Sequence, residues 1–448
     1  LALALLTPRT PNVFALLLLL KPMTDESYSR RWAAPSTQNQ LAATISLPGS
    51  KSLNNRELVL SALAESPTTL RDTLVSRDST LMVEALRKLG TQIDVSGTTV
   101  VVTPKPLLGP AVINCGLAGT VMRFVPALAS LAKGQIDFDG DLAARKRPMK
   151  TTIDSLRSLG VLVTGESLPF SIQGQGEVDG GAIEIDASAS SQFVSGLLLV
   201  GAKFKNGLTV SHVGDHLPSM PHIEMTIDCL RKRGVDASQT GPASWRVEPG
   251  QISGGEVWIE PDLSNAGPFL AAAMVAGGSV TISNWPNKTT QVGNDFDGIL
   301  QQMGASVERI GNDLVVTGTG TIQGVDIDLS TGGELTPVVA ALAALAISPT
   351  QIRGVAHLRG HETDRLKALV SEINSIGGDA IETEDGMIIK PAKLRGGTWR
   401  TYEDHRMATA GAIIGLAVPG VEIEDISVTA KTIPEFVSLW EQMLKGKA

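Results

Sequence analysis

Five times along the chain, apolar residues at helical spacing run into a glycine and give way to a strand. The copies read Leu86-Arg87-Lys88-Leu89-Gly90, Leu156-Arg157-Ser158-Leu159-Gly160, Leu230-Arg231-Lys232-Arg233-Gly234, Leu300-Gln301-Gln302-Met303-Gly304 and Ile373-Asn374-Ser375-Ile376-Gly377. Their glycines lie 70, 74, 70 and 73 residues apart. Each copy predicts an amphipathic helix stopped by a glycine in the left-handed region. The strand then turns back, at Ser96-Gly97 or at Gly311-Asn312-Asp313, and a second strand such as Leu314-Val315-Val316 pairs with it. A degenerate sixth copy stands near Trp440-Glu441-Gln442-Met443. The period is longer than that of the common solenoid repeats. It predicts α/β units arranged as two lobes of three, with a ligand site in the cleft between them, because sites favour domain interfaces.

Composition narrows the class. The 448 residues suggest two large domains or three ordinary ones, and 42% hydrophobic residues supply their cores. Aromatics are only 4% and the formal net charge is −8, so neither nucleic acid nor an anionic membrane surface is an expected partner. A small anion would need basic groups gathered locally. Cys115 and Cys229 form no CxxC pair, no His/Cys spacing resembles a metal site, and a reduced, cytoplasmic protein is expected. The apolar run ending at Leu20 is shorter than the ~20 residues that span a bilayer, and no small-x-small cleavage site follows it. Residues 1–22 are therefore expected to be an upstream extension without ordered structure, ahead of Met23.

Six segments carry candidate chemistry. Pro48-Gly49-Ser50-Lys51-Ser52 ends a short strand, and Ser50 or Ser52 is a natural N-cap for the helical run from Glu57 to Ala64. With Lys51 and Arg56 beside it, that helix start could hold an anion or could simply be a capped surface helix. Asn114-Cys115-Gly116-Leu117-Ala118-Gly119-Thr120 offers backbone N–H groups close to a ligand, before the helix from Phe124 to Leu131. Arg145-Lys146-Arg147 before Pro148 reads as a solvated loop or a cation cluster. Ser188 to Phe193 places small hydroxyls and an amide at a helix start, where capping alone would also use them. Gly360 to Leu366 and Asp404 to Ala408 put charged triplets at the mouths of apolar helices, a costly arrangement without partners.

Taken together these segments resemble the enolpyruvyl transferase family, from about Ser46 to the C-terminal helix. The resemblance rests on Pro-Gly-Ser-Lys-Ser with Asn55-Arg56, Ala118-Gly119-Thr120, Ser190-Ser191-Gln192, His361-Glu362-Thr363-Asp364-Arg365, Asp404-His405-Arg406-Met407-Ala408 and Ala430-Lys431-Thr432. It implies an α/β fold of two lobes, each of three βαβαββ units, an inside-out α/β barrel. Residues 23–48 with 262–448 would form the first lobe and residues 49–261 the second. The implied reaction moves the enolpyruvyl group of phosphoenolpyruvate to the 5-hydroxyl of shikimate 3-phosphate and releases phosphate, a step of aromatic amino acid biosynthesis. No cofactor and no metal are implied, and a monomer is expected.

By the same resemblance shikimate 3-phosphate would meet Lys51, Ser52, Arg56, Ser190, Ser191, Gln192, Ser219, Glu334 and His361. Phosphoenolpyruvate would meet Lys51, Gly119, Arg145, Gln192, Arg365, Arg406 and Lys431. Glu334 would be the base, while Glu362 and Lys51 are the candidates for delivering a proton to the methylene. Both substrates are anions, so Arg forks and compact Lys charges suit them. The expectation is that Lys51, Arg123, Arg365, Arg406 and Lys431 converge on one interlobe crevice. Four positions depart from common family residues: Leu117 for Asn, Phe124 for Pro, His361 for Lys, and a loop at Ala143-Ala144 lacking an earlier Arg. The alternatives are transfer to a UDP-sugar (UDP-N-acetylglucosamine), whose enzymes carry a reactive Cys on the loop matching Asp139 to Pro148, and a non-catalytic binder of anionic metabolites.

Overall fold

The computed structural model describes residues 31–446, so the expectation for residues 1–22 lies outside the described residues. Two apolar cores organise the chain. One is built between Leu53 and Ile259, and the other joins Ala34–Ile45 to Leu263–Met443. Among the described residues five four-stranded sheets and one three-stranded sheet surround them.

Each repeat is strand, helix, strand, helix and hairpin. In the second repeat Ala111–Asn114 lies parallel to Lys133–Asp139, and Phe170–Gln175 and Leu162–Thr164 follow antiparallel. Alternation drives the pairing: Phe170, Ile172 and Gly174 face inward, and Phe170 stacks on Phe138 with centroids 4.8 Å apart. The repeat glycines do stop the helices. Gly90, Gly160, Gly234, Gly304 and Gly377 all have φ between 82° and 105°. The sixth copy ends its helix Phe436–Lys445 at Gly446 (φ 73°), and its sheet is completed by Trp32–Ala33 in place of a hairpin.

The two helices of a repeat differ in kind. The one after the first strand is buried nearly all round and rich in Ala, Gly and Leu, as in Gly119–Ala129, Thr336–Ala344 and His405–Ala417. Small residues let these inner helices touch. A Cβ on Gly196 would stand 2.4 Å from the carbonyl oxygen of Arg123. The helix after the second strand covers the outside, as Arg77–Lys88 does with Leu81, Met82 and Leu86 inward and Arg87 and Lys88 outward.

The repeats exchange strands between lobes. Leu41–Ile45 pairs parallel with Gly278–Ile282, yet the helix that follows it, Lys51–Ala62, packs in the other core. Gly255–Trp258 pairs parallel with Thr68–Arg71, and its following helix Leu263–Ala276 crosses back. The two crossings run side by side. Ser50 N–H donates to the Glu260 carbonyl (2.7 Å), and Asp262 N–H donates to the Pro48 carbonyl (3.0 Å). Gly49 is required there, since a Cβ would meet the Asp72 carbonyl oxygen at 2.2 Å.

Among the described residues no helix is long and apolar enough to cross a membrane, and no group of three His, Cys, Asp or Glu side chains could hold a metal ion. Cys115 and Cys229 are buried free thiols.

Candidate active site

The inner helices all begin at one cleft. Their starts supply Lys51, Gly119, Gln192, Ser264, Glu334 and Arg406 to its lining, three from each lobe. The outer helices begin there too, contributing among others Asp78, Pro148, Ser219, Val292, Arg365 and Thr432. Each inner helix start carries roughly half a positive charge from its unpaired N–H groups. Six of them around one cavity make a field for anions before any side chain is counted. The cleft holds about 1220 Å³ with its open mouth included.

The crossing between lobes sets the first helix. The sequence pointed to a Ser50 or Ser52 cap and a helix from Glu57. The helix starts at Lys51 and Ser50 makes no side-chain cap bond. Asp262 takes that part: its Oδ2 accepts the Lys51 N–H (3.1 Å) and its Oδ1 accepts the Asn265 N–H (3.1 Å) of the neighbouring helix. One carboxylate thus caps two helices in two lobes, and the serine hydroxyls at residues 50 and 52 remain for the cleft.

Four of the five cations expected to converge line this cleft: Lys51, Arg123, Arg365 and Arg406. Lys431 reaches its wall through Glu362, its Nζ 2.5 Å from Oε1. Arg365 donates to the other Glu362 oxygen (2.9 Å) and makes a fork onto Asp404 (2.7 and 3.2 Å). Asp404 also accepts the Arg406 N–H (2.9 Å) as helix cap. This network is how the charged triplets at residues 362–365 and 404–406 are buried at tolerable cost. Burial pushes Glu362 up, but Lys431, Arg365 and Arg147 outweigh it and hold the carboxyl well below its usual range. Burial lowers the Lys51 pKa, with Asp78, 3.7 Å from Nζ, partly restoring it.

Glu334 also lines the cleft. Its Oε1 accepts the Ser264 hydroxyl, its Oε2 lies 3.3 Å from His222 Nε2, and Arg406 donates to its backbone carbonyl (3.0 Å). Burial favours its neutral form, but His222, Arg406 and Ser264 prevail, so its pKa is lowered and it is a carboxylate at neutral pH.

Ser52, Ser190, Ser191, Gln192, Ser219 and His361 also line the cleft. Ser219 caps its helix at φ 55°, ψ 50°, a left-handed conformation that costs a non-glycine residue about 1–2 kcal/mol. Several buried polar atoms at this wall make no hydrogen bond within the protein: Arg123 Nε, Arg147 Nε, Gln192 Oε1 and both ring nitrogens of His357 and of His405. Buried polar atoms are normally paired, so their concentration here marks a surface built for polar ligands. Burial lowers the His357 pKa to about 4, and lowers His361 and His405 well below the usual value.

Two residues from the sequence reading stand elsewhere. Arg56 lies behind the wall, its guanidinium spent on Thr226 Oγ1 (2.8 Å), the Ser52 carbonyl (2.9 Å), the His222 carbonyl (2.8 Å) and Ser195 Oγ (3.3 Å). Burial lowers its pKa to about 10. Arg145 is on the surface, forked onto Asp139 (2.7 and 3.0 Å). The turn Ala144–Lys146 brings Arg147 into the cleft instead, where it donates to the Leu117 carbonyl (3.2 Å).

Asp262, His222 and His357 also line the cleft, as do Arg147 and His405 from the segments at residues 145–147 and 404–408. Asp262 precedes an apolar helix as an Asx cap should, a legible signal. Nothing local marks His222 or His357.

Known proteins resemble this chain over nearly its whole length. The family profile described as EPSP synthase (3-phosphoshikimate 1-carboxyvinyltransferase) matches residues 35–440. A curated protein of Kocuria rhizophila named 3-phosphoshikimate 1-carboxyvinyltransferase is 52% identical over 428 residues, covering 92% of this chain and 96% of its own. The solved EPSP synthase of Acinetobacter baumannii superposes with a TM-score of 0.78 at 25% identity, covering 93% of this chain and 98% of that one. The enolpyruvyl transferase NikO of Streptomyces tendae, at 20% identity and a TM-score of 0.73 over 93% and 96% of the two chains, shares the two-lobed fold.

Proposed function

The chain belongs to the EPSP synthase family, and from that premise we propose the roles of the residues in its cleft. The reaction joins the 5-hydroxyl oxygen of shikimate 3-phosphate to C2 of phosphoenolpyruvate and releases phosphate. The observation that carries the assignment of residues is the meeting of six inner-helix starts, buried cations from both lobes and one ionised carboxylate, Glu334, in a single cleft.

The phosphate of shikimate 3-phosphate lies against Ser190, Ser191 and Ser219, with Lys51, Ser52 and Gln192 completing its pocket and His361 beside the ring. Arg56 supports this pocket from behind by holding the Ser52 and His222 carbonyls. Phosphoenolpyruvate lies on the Gly119 helix start and is held by Lys51, Gln192, Arg123, Arg147, Arg365 and Arg406, with Lys431 behind Glu362. Neutralising both anions and aligning them could remove on the order of 7–11 kcal/mol of barrier.

Glu334 takes the hydroxyl proton as the oxygen attacks C2. A proton must also reach C3, turning the methylene into a methyl group. Glu362 is held ionised by Lys431, Arg365 and Arg147 and has no proton to give. Lys51 lines the cleft with its Nζ 3.7 Å from the Asp78 carboxylate, and Lys51 is the donor. The tetrahedral adduct then collapses: Lys51 takes back a methyl proton, the C2–O bond to phosphate breaks, and Glu334 returns its proton to the departing phosphate or to water.

The test is phosphate release from purified protein given both substrates. Lys51→Ala or Glu334→Ala should abolish most turnover while the fold persists. Full activity in either variant removes that residue from the mechanism.

A further inference from the structure

His222 opens the outer helix Met220–Lys232 of one lobe, and Glu334 stands at the start of an inner helix of the other. Their side chains face each other across the cleft, Nε2 to Oε2 at 3.3 Å, both about four-fifths buried. The imidazole sits on an unusually fixed backbone. Its own carbonyl accepts bonds from Arg56 Nη2 (2.8 Å), Thr226 Oγ1 (3.0 Å) and Ser195 Oγ (3.3 Å), while the strained Ser219 and Pro221 fix the entry of the helix. Ser264 holds Oε1 from within the lobe of Glu334, so only Oε2 is left to be set from outside.

We propose that His222 is a positioning residue for this reaction: it orients the carboxylate of Glu334 from the opposite lobe, so that the base is completed only when the two lobes meet. The inference rests on Glu334 being the base. A carboxylate gripped on one oxygen alone can rotate about its last torsion, whose well is broad. The second grip fixes the plane and leaves defined lone pairs for the attacking hydroxyl. Because the grip comes from the other lobe, an open enzyme holds a misaligned base, which protects phosphoenolpyruvate from attack before the acceptor is enclosed. The same arrangement gives Arg56 a part in catalysis from outside the pocket, through the carbonyl it pins.

The charged and titratable groups around Glu334 are His222 from the outer helix of the opposite lobe, Arg406 and Asp262 at neighbouring inner helix starts, and Arg365, His357 and Arg56 at longer range. His222 is the first of those holding the Glu334 pKa down. Its removal therefore moves that pKa up.

Steady-state kinetics of His222→Ala, His222→Gln, Glu334→Gln and the double variant His222→Ala/Glu334→Gln test this. His222→Ala should lower kcat about 10- to 100-fold, the loss of one bond to a charged group, with the KM of phosphoenolpyruvate nearly unchanged. The acidic limb of its kcat profile should move to higher pH. His222→Gln, which keeps an N–H donor, should recover part of kcat. His222→Ala should cost little more on the Glu334→Gln background, since the two act as a unit. A kcat for His222→Ala within about twofold of the parent, an unmoved acidic limb, or a full additional loss on the Glu334→Gln background overturns the inference. An active Glu334→Gln enzyme overturns the assignment of the base instead.

Discussion

Lys431 and Glu362 meet at 2.5 Å, each side chain 10% exposed, and Arg365 holds the other oxygen of the same carboxylate. Removing the carboxylate leaves two buried cations facing each other. Glu362→Gln is expected to destabilise the protein by about 3–5 kcal/mol, measured by urea unfolding at neutral pH. A change below about 1 kcal/mol would mean that the cations relax into solvent.

Arg147 and Arg145 are two residues apart but face opposite ways. Arg147→Ala is expected to raise the KM of phosphoenolpyruvate about 10- to 100-fold, as the loss of a buried bond to a charge does. Arg145→Ala breaks only an exposed pair with Asp139 and should change kcat/KM by less than about fivefold. The reverse order would place Arg145 in the site.

Ser219 combines a strained backbone with a hydroxyl at the proposed phosphate pocket. Ser219→Gly should gain about 1 kcal/mol in unfolding free energy and raise the KM of shikimate 3-phosphate. Ser219→Ala should raise the same KM without the gain. Thermal unfolding and initial rates on the two variants separate strain from ligand contact.

Far from the chemistry, Arg233 Nη2 and Nε both donate to Glu57 Oε2 (2.6 and 2.9 Å) with side chains 3% and 5% exposed. Glu57→Ala is expected to cost about 3–5 kcal/mol of stability while the folded fraction keeps its kcat. A fall in kcat at full folding would connect this pair to the cleft.

Stability should fall in two stages on acidification. His357 has a pKa lowered from 6.5 to about 4, and His361 and His405 are lowered as well. Below pH 6.5 the unfolded chain takes up protons that the folded one refuses, so stability is lost from 6.5 down to about 4 for His357. Glu334 and Glu362 are both lowered from 4.5, so their contribution, intact above that value, is lost as pH falls below it. Urea unfolding across this range should show both stages, and His357→Asn should flatten the upper one.

Much of this fold could be read from the glycines. Gly90 through Gly377 adopt the left-handed conformation the pattern required, because a helix stop is a local event. No local pattern marks the exchanged strands Leu41–Ile45 and Gly255–Trp258; the lobe bounds expected at residues 48 and 262 come from the family resemblance alone, since which core a helix joins is settled by packing far along the chain. The site divides in the same way. Lys51, Gln192 and Arg406 stand at helix starts, where local signals exist. His222 matters only because another lobe brings Glu334 to it. Arg145 and Arg147 look alike in sequence, and a single turn decides which one is inward.

Among the described residues the paired crossings at Gly49 and Pro261 give the polypeptide one doorway between its halves, used once in each direction. A single backbone cut in either passage would leave the halves joined through the other, each still holding a ribbon of sheet donated by its neighbour. Limited proteolysis there should nick the molecule without setting either half free, and only a double cut should part them.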